Sequence, residues 1–221
     1  MVSKLEKYEL PLFPLNVVLF PGMPLPLHVF EDRYKEMIAD CIREDRPFGV
    51  VLIDEDSFDQ SHDETPVAIG CTAEIAQVHP LDHGRMFIMT VGRERFRIVE
   101  WGYDDKPYLV GTVEPAPLHI DDEEWETLGA DHLEPLVIEY LNLLSRAGGE
   151  IEIEPDQIPA EPEGLIYMAA TLIQLPAEEK QALLSIDRAS DLARALSHLY
   201  RRELAMMRFM PDEDIGIFSL N

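Results

Sequence analysis

The chain has 221 residues, enough for one large domain or two small ones, and a chain of this size can bury about 70% of its unfolded surface without disulfide or metal staples. Its 43 acidic residues against 18 lysines and arginines leave a formal charge of −25, which opposes nucleic acid and anionic lipid as partners because both are held by positive charge. Met1 to Glu9 is charged and lacks the apolar core of a signal peptide, and no apolar run has the length of a membrane span, so a soluble, cytoplasmic protein is expected.

The organising stretch is Leu10 to Tyr34, in which apolar residues are interleaved with Pro11, Pro14, Pro21, Pro24 and Pro26. Proline has no amide hydrogen, so these positions mark where a sheet is left unpaired. Val17 to Phe20 is a short apolar run able to pair, and Pro21-Gly22 is a turn signal with Gly22 free to take positive φ. Leu25, Leu27 and Val29 alternate with Pro26 and His28, which predicts a strand with one apolar face. From Glu31 to Arg43 the period changes to that of a helix, with Tyr34, Met37, Ile38, Cys41 and Ile42 on one face. Glu31 and Asp32 favour its positive end, and Arg46-Pro47 stops it.

Phe48 to Ile53 is continuously apolar and reads as a strand buried on both faces. An acidic loop, Asp54 to Thr65, leads to a long strand from Pro66 to His79, in which Gly70 allows a bulge. His79 to Gly84 turns the chain, and Arg85 to Val91, Glu94 to Trp101 and Tyr108 to Val113 supply further strands. Short strands with proline and glycine turns and one early helix predict a small, partly open barrel. Cys41 and Cys71 sit far apart in apolar settings and read as two buried, reduced thiols.

The ordered motifs Leu10-Pro11-Leu12-Phe13-Pro14-Leu15, Val18-Leu19-Phe20-Pro21-Gly22, Leu25-Pro26-Leu27, Phe30-Glu31 with Arg33-Tyr34, Arg46-Pro47-Phe48-Gly49-Val50 and Gly92-Arg93-Glu94-Arg95-Phe96-Arg97-Ile98 together resemble the N-terminal, substrate-binding domain of Lon proteases. The resemblance is carried by Leu10 to about Val113; the second half shares only the layout. It implies an α+β fold, an N-terminal PUA-like β pseudobarrel with one early helix followed by a C-terminal helical bundle. It also implies a role in binding unfolded or degron-bearing polypeptide, with catalysis left to later domains of Lon.

A boundary near Ala116 to Ile120 divides the chain into a β-rich part, 8–117, a helical part, 118–210, and a tail, 211–221. Asp121 and Glu124 have capping-box spacing, and Trp125 to Leu144 follows at helical period, with a break expected at Pro135. Leu118 to Glu163 is acidic throughout, with Arg146 its single cation, and reads as a solvated face. Gly164 to Leu175 predicts a buried helix, Pro176 opens a short one, and Asp187 or Ser190 caps a last helix that buries Leu192, Leu196, Leu199, Tyr200 and Leu204.

Catalytic motifs are missing from this sequence. It holds no Gly-x-x-x-x-Gly-Lys-Ser/Thr loop, no serine–lysine arrangement of the Lon type and no Gly-x-Ser-x-Gly elbow. Ser197, His198 and Asp191 make a triad on paper only, because adjacent helical residues point about 100° apart. His62, His79 and His83 flank carboxylates in loops and read as solvated, so no metal and no cofactor is expected. Arg93, Arg95 and Arg97 alternate along one strand, which reads either as an anion clamp or as a solvated face paired with acids. They are the one feature favouring an RNA-binding PUA-like module, and the surrounding charge opposes it. The readings weighed are therefore a non-catalytic binder of protein or peptide segments, that RNA module, and a small hydrolase. The first is preferred, with Met23, Leu25, His28 and Phe30 as the expected peptide contacts, an extended segment adding along the proline-marked edge, and a cleft between the two halves as the expected surface. Glu31 and Arg33 are expected to hold the strand-to-helix junction.

Overall fold

The computed structural model describes residues 6–54, 65–103, 105–121, 130–146, 158–159 and 161–209. The chain forms two compact units, Met1–Pro117 with Leu175–Ser185, and Leu118–Gln174 with Ile186–Asn221. The fold is α+β, with six strands and five helices among the described residues.

In the first unit the strands are β1 (Tyr8–Leu15), β2 (Pro24–Val29), β3 (Phe48–Leu52), β4 (Ile69–Pro80), β5 (Met86–Gly102) and β6 (Leu109–Pro115), with helix α1 (Asp32–Glu44) between β2 and β3. They pair in the order β2-β5-β4-β3-β1-β6, and a further β5–β6 pairing closes the sheet on itself. Among the described strands of this sheet, β1–β3 is the parallel pair and the other pairs are antiparallel. β1 and β3 are buried on both faces. Leu10, Leu12 and Val51 join Phe96, Leu109 and Val113 in one core cluster, while Phe13 and Val50 join Tyr34, Met37, Ile38 and Cys41 of α1 in another. Phe13 stacks on Tyr34 with ring centroids 4.0 Å apart.

β1 runs straight through Pro11 and Pro14 and is paired on both sides, where the sequence predicts a gap. The reason is parity. Leu15 O accepts from Ile53 N–H, so odd-numbered residues turn their polar backbone groups toward β3 and even-numbered ones toward β6. β3 pairing starts at Leu12 and β6 pairing ends there, so Pro11 faces β3 before that ladder begins and Pro14 faces β6 after that ladder has ended. Val17 to Phe20 is no strand. Val18, Leu19 and Phe20 are buried in a loop that ends in a turn, with Met23 N–H donating to Phe20 O (3.0 Å) and Gly22 at φ 81°. Pro21 at the second position and Gly22 at the third make it a type II turn. Gly92 fastens this turn to β5: its O accepts from Gly22 N–H and its N–H donates to Met23 O, both at 2.9 Å. A Cβ at Gly92 would meet Phe20 O at 2.1 Å.

Three further expectations change. Gly70 makes room for the Phe96 ring, which a Cβ there would meet at 2.6 Å, and the bulges of β4 and β5 lie elsewhere. Arg85 to Val91 and Glu94 to Trp101 form one strand, because Gly92 continues the ladder opposite Ala73. Ile42 is 49% exposed, outside the buried face of α1. That helix ends in a left-handed cap at Asp45 (φ 49°).

The short helix α4 (Ala177–Leu184) also belongs to this unit, where the sequence placed it with the other helices. Gln181 is buried and donates from Nε2 to Ile69 O of β4 at 3.0 Å, satisfying a carbonyl at the strand's start.

The second unit holds α2 (Ala130–Arg146), α3 (Pro162–Leu172) and α5 (Ala189–Phe209). α2 passes through Pro135 without the expected break; it buries Leu133, Val137, Tyr140, Leu141 and Leu144 on one face. Tyr200 of α5 meets Tyr140 edge-on at 5.2 Å and donates to Ala169 O of α3 at 2.8 Å. His119 bridges to the start of α5, donating to Asp187 O and accepting from Ala189 N–H. The expected Asp121–Glu124 capping box, most of the Asp54–Thr65 loop and the 211–221 tail lie outside the described residues.

Candidate functional site

The candidate surface is the outward face of β2 and β5 in the first unit. Alternation along β5 turns Ile88 and Thr90 into the core and leaves Phe87 and Met89 outside, 48% and 36% exposed. Register then places Phe87 opposite His28 and Met89 opposite Pro26. His28 stacks on Phe87 (4.6 Å between centroids) and lies 5.6 Å from Phe30, which is 58% exposed at the end of β2. Three rings and two apolar neighbours thus stand together in solvent. Such a patch lies outside the fold's own core, which makes it the candidate for a contact surface.

Of the four expected peptide contacts, His28 and Phe30 lie on this face. Leu25 does not: it is buried in the core beside Val29 and Tyr34, because the same alternation that exposes Pro24, Pro26 and His28 points Leu25 inward. Met23 packs partly against that core at the turn. Phe87 and Met89 escaped the sequence reading. The signal was present in Met86-Phe87-Ile88-Met89-Thr90, where apolar residues occupy both phases of a strand, so one phase had to be outside.

The junction below the face is fixed as expected. Arg33 Nε donates to Glu31 Oε2 at 2.9 Å, and the Arg33 guanidinium lies 4.5 Å over the Tyr34 ring.

The three arginines do not form one row. A bulge sets Arg93 and Glu94 opposite Thr72, whose hydroxyl accepts from Glu94 N–H (3.0 Å) and donates to Glu94 O (3.3 Å). The extra residue breaks the alternation on which a shared face depends. Arg93 is exposed and pairs with Glu74 at 2.7 Å, Arg95 is buried opposite Cys71, and Arg97 is half-buried opposite Ile69.

Elsewhere, Asp40 is a buried carboxylate of α1 that accepts from Lys106 Nζ and Tyr108 Oη at 2.7 Å each and from Arg43 at 2.6 Å. The Lys106, Tyr108 and Arg43 hydrogen bonds hold its carboxyl well below the usual carboxylate range, against the opposing effect of burial. Burial pushes the Tyr108 hydroxyl up to about 12, with Asp40 adding to the effect. These groups tie α1 to the segment before β6. Cys41 and Cys71 are free and buried, and desolvation raises their thiols to about 11 and about 12. Ser197 is buried, His198 exposed and Asp191 bonded to Arg194 at 2.7 Å, so the paper triad is not assembled. Among the described residues no group of three or more His, Cys, Asp and Glu is gathered for a metal ion, and no helix is long and apolar enough to cross a membrane.

A family model described as the ATP-dependent protease La (LON) substrate-binding domain matches residues 9–201, and the chain belongs to that family. It is 28% identical over 211 residues to Lon protease of Flavobacterium johnsoniae, covering 94% of this chain and 25% of that protein. It is 31% identical over 202 residues to Lon protease 2 of Myxococcus xanthus, covering 87% and 24%. The chain therefore spans about a quarter of the length of these curated relatives. Among solved structures it is similar to a Lon N-terminal domain protein from Xanthomonas campestris, with a TM-score of 0.61 and 26% identity over 92% of this chain and 99% of that one. The N-terminal domain of the Mycobacterium avium complex Lon protease aligns with a TM-score of 0.67 at 18% identity, covering 88% and 98%, a likeness of fold.

Proposed function

We propose that this chain binds unfolded or degron-bearing polypeptide segments without cleaving them, and serves proteolysis as an accessory or adaptor in the cytoplasm. On this reading the closed sheet is a PUA-like pseudobarrel, the helices of the second unit are its C-terminal bundle, and His28 and Phe30 with Phe87 and Met89 form the contact surface. The observation that carries it is the exposed His28–Phe30–Phe87 cluster on a rigid sheet face. Folded proteins hide such side chains, whereas unfolded segments display them, so an apolar, aromatic face selects the unfolded state without reading a fixed sequence. Membership in the LON substrate-binding family supports the same direction. The broken arginine row, with Arg93 held by Glu74, leaves the RNA and anion-clamp readings without support.

The test is an amide-shift titration of isotopically labelled protein with a permanently unfolded, carboxamidomethylated protein. Saturable shifts are expected around His28, Phe30, Phe87 and Met89. Phe30→Ser with Phe87→Ser is expected to weaken binding about tenfold or more, since the loss of two aromatic contacts exceeds 1.4 kcal/mol. The double variant leaves the thermal midpoint nearly unchanged, because both side chains stand in solvent. No saturable shift at millimolar unfolded protein defeats the reading.

A further inference from the structure

Among the described residues, two unpaired strand edges of the sheet are chemically unlike. β2 is one: its neighbour β5 lies on a single side. An antiparallel ladder needs N–H groups on the residues facing the partner, so Pro24 and Pro26, which share a parity, turn toward the open side. That edge therefore lacks two donors where an added strand needs them. The other free edge is internal. β4 pairs with β3 only at Cys71, Thr72 and Ala73, because β3 begins at Phe48 opposite Ala73. From Glu74 to Pro80 the strand continues along β5 with no strand on its other side among the described residues. Leu81 N–H donates to Arg85 O at the hairpin mouth (2.7 Å), so Leu81, His79 and Gln77 turn toward β5 and Val78 turns its N–H and C=O outward. The outward groups border a groove of about 730 Å³ between this edge and the end of α1. Ile42 and Val78 give it exposed apolar walls, and Asp45 and Glu94 face it. Its two arginines are engaged, Arg46 by Glu44 and Arg93 by Glu74, which leaves the acids to meet an incoming cation.

We propose that Glu74–Pro80 is a strand-addition site, which takes one short extended polypeptide segment carrying apolar residues and a lysine or arginine. Unpaired backbone donors and acceptors in a groove are satisfied by another backbone, the groove's acids and the −25 charge of the chain select a basic segment, and Ile42 and Val78 select apolar side chains. The stretch spans roughly 20 Å at about 3.3 Å per residue, room for five or six residues. Pro80 ends the stretch and the bulge at Ala76 bends it, so it suits a single short segment better than another sheet. A segment added here would extend the row His28–Phe87–His79 by one more residue, joining the aromatic face to a backbone clamp. The inference rests on the reading that the chain binds polypeptide, and it assigns the edge on which the backbone is held.

The test uses a soluble hexapeptide alternating valine with threonine and lysine, and two versions of it N-methylated on one or the other alternate set of residues. The expected result is saturable amide shifts from Ile75 to Val78, slowed hydrogen exchange at Val78, and binding weakened about tenfold by one methylated set and kept with the other. Val78→Pro is expected to weaken binding similarly with the urea midpoint unchanged, since Val78 N–H has no partner to lose among the described residues. Equal binding of both methylated peptides, or undiminished binding to V78P, overturns the proposal. Shifts confined to His28, Phe30 and Phe87 and insensitive to N-methylation also overturn it, while leaving the polypeptide-binding reading intact. Peptide-free, concentration-dependent shifts at Val78 with a dimer in sedimentation assign the edge to a second copy of the chain and overturn it too. No binding of any peptide or unfolded protein at millimolar concentration removes both readings.

Discussion

Gly92 shows how much one missing side chain can decide. Its backbone accepts from Gly22 and donates to Met23, and Phe20 O occupies the place where a Cβ would stand. Gly92→Ala must push that loop off β5, so a loss of about 1–3 kcal/mol, the usual cost of overpacking, is expected in urea unfolding. Asp40 is the corresponding decision in charge. Its folded carboxyl lies below the ordinary value, so the stability it contributes is fully present above the unfolded pKa of about 3.9 and is lost as pH falls from there toward the folded value. Asp40→Asn is therefore expected to lower stability at neutral pH and to flatten the acid limb of the stability profile below about pH 4. Cys41 and Cys71, with thiols raised to about 11 and about 12, are expected to resist alkylation at pH 8 in the folded protein and to react once it is unfolded in urea. Rapid labelling of the folded chain would contradict their burial.

β1 and β5 separate what the sequence could disclose about the elements from what it could not. Local chemistry was readable: Pro21-Gly22 takes the turn its φ preferences require, α1 follows its apolar spacing, and β3 is buried on both faces as its unbroken apolar run demands. Partner-dependent chemistry was not. Whether Pro11 and Pro14 interrupt a sheet depends on which neighbour each faces, and that is fixed by the offsets of β3 and β6, far away in the chain. The bulge that dissolves the Arg93–Arg95–Arg97 row needs Thr72 across the ladder to cap it. α4 carries no local mark that assigns it to the β unit, because bonds such as Gln181 to Ile69 reach a strand more than a hundred residues earlier. Half of the aromatic face was legible in His28 and Phe30. Phe87 arrives by register from about sixty residues away. That register also yields a test on one element: Gln181→Ala leaves Ile69 O without its donor and is expected to lower stability by about 1–3 kcal/mol, measured by urea unfolding.

At the level of the whole molecule, a formal charge of −25 accompanies an apolar face and an open strand edge. Long-range attraction then favours cationic unfolded segments and is screened over roughly 8–10 Å at physiological salt. Raising salt from 50 to 500 mM is expected to slow association of a lysine-bearing peptide severalfold and to leave a neutral aromatic peptide nearly unaffected; equal slowing of both would assign binding to something other than charge steering. The chain spans about a quarter of the length of the Lon proteases it resembles. The most direct measurement is photo-crosslinking from a benzoylphenylalanine placed at Phe87, offered one protein in folded and in carboxamidomethylated, unfolded form. The account predicts a crosslink to the unfolded form alone, suppressed by an excess of unlabelled unfolded chain. A crosslink of equal yield to the folded form, or none to either, would contradict it.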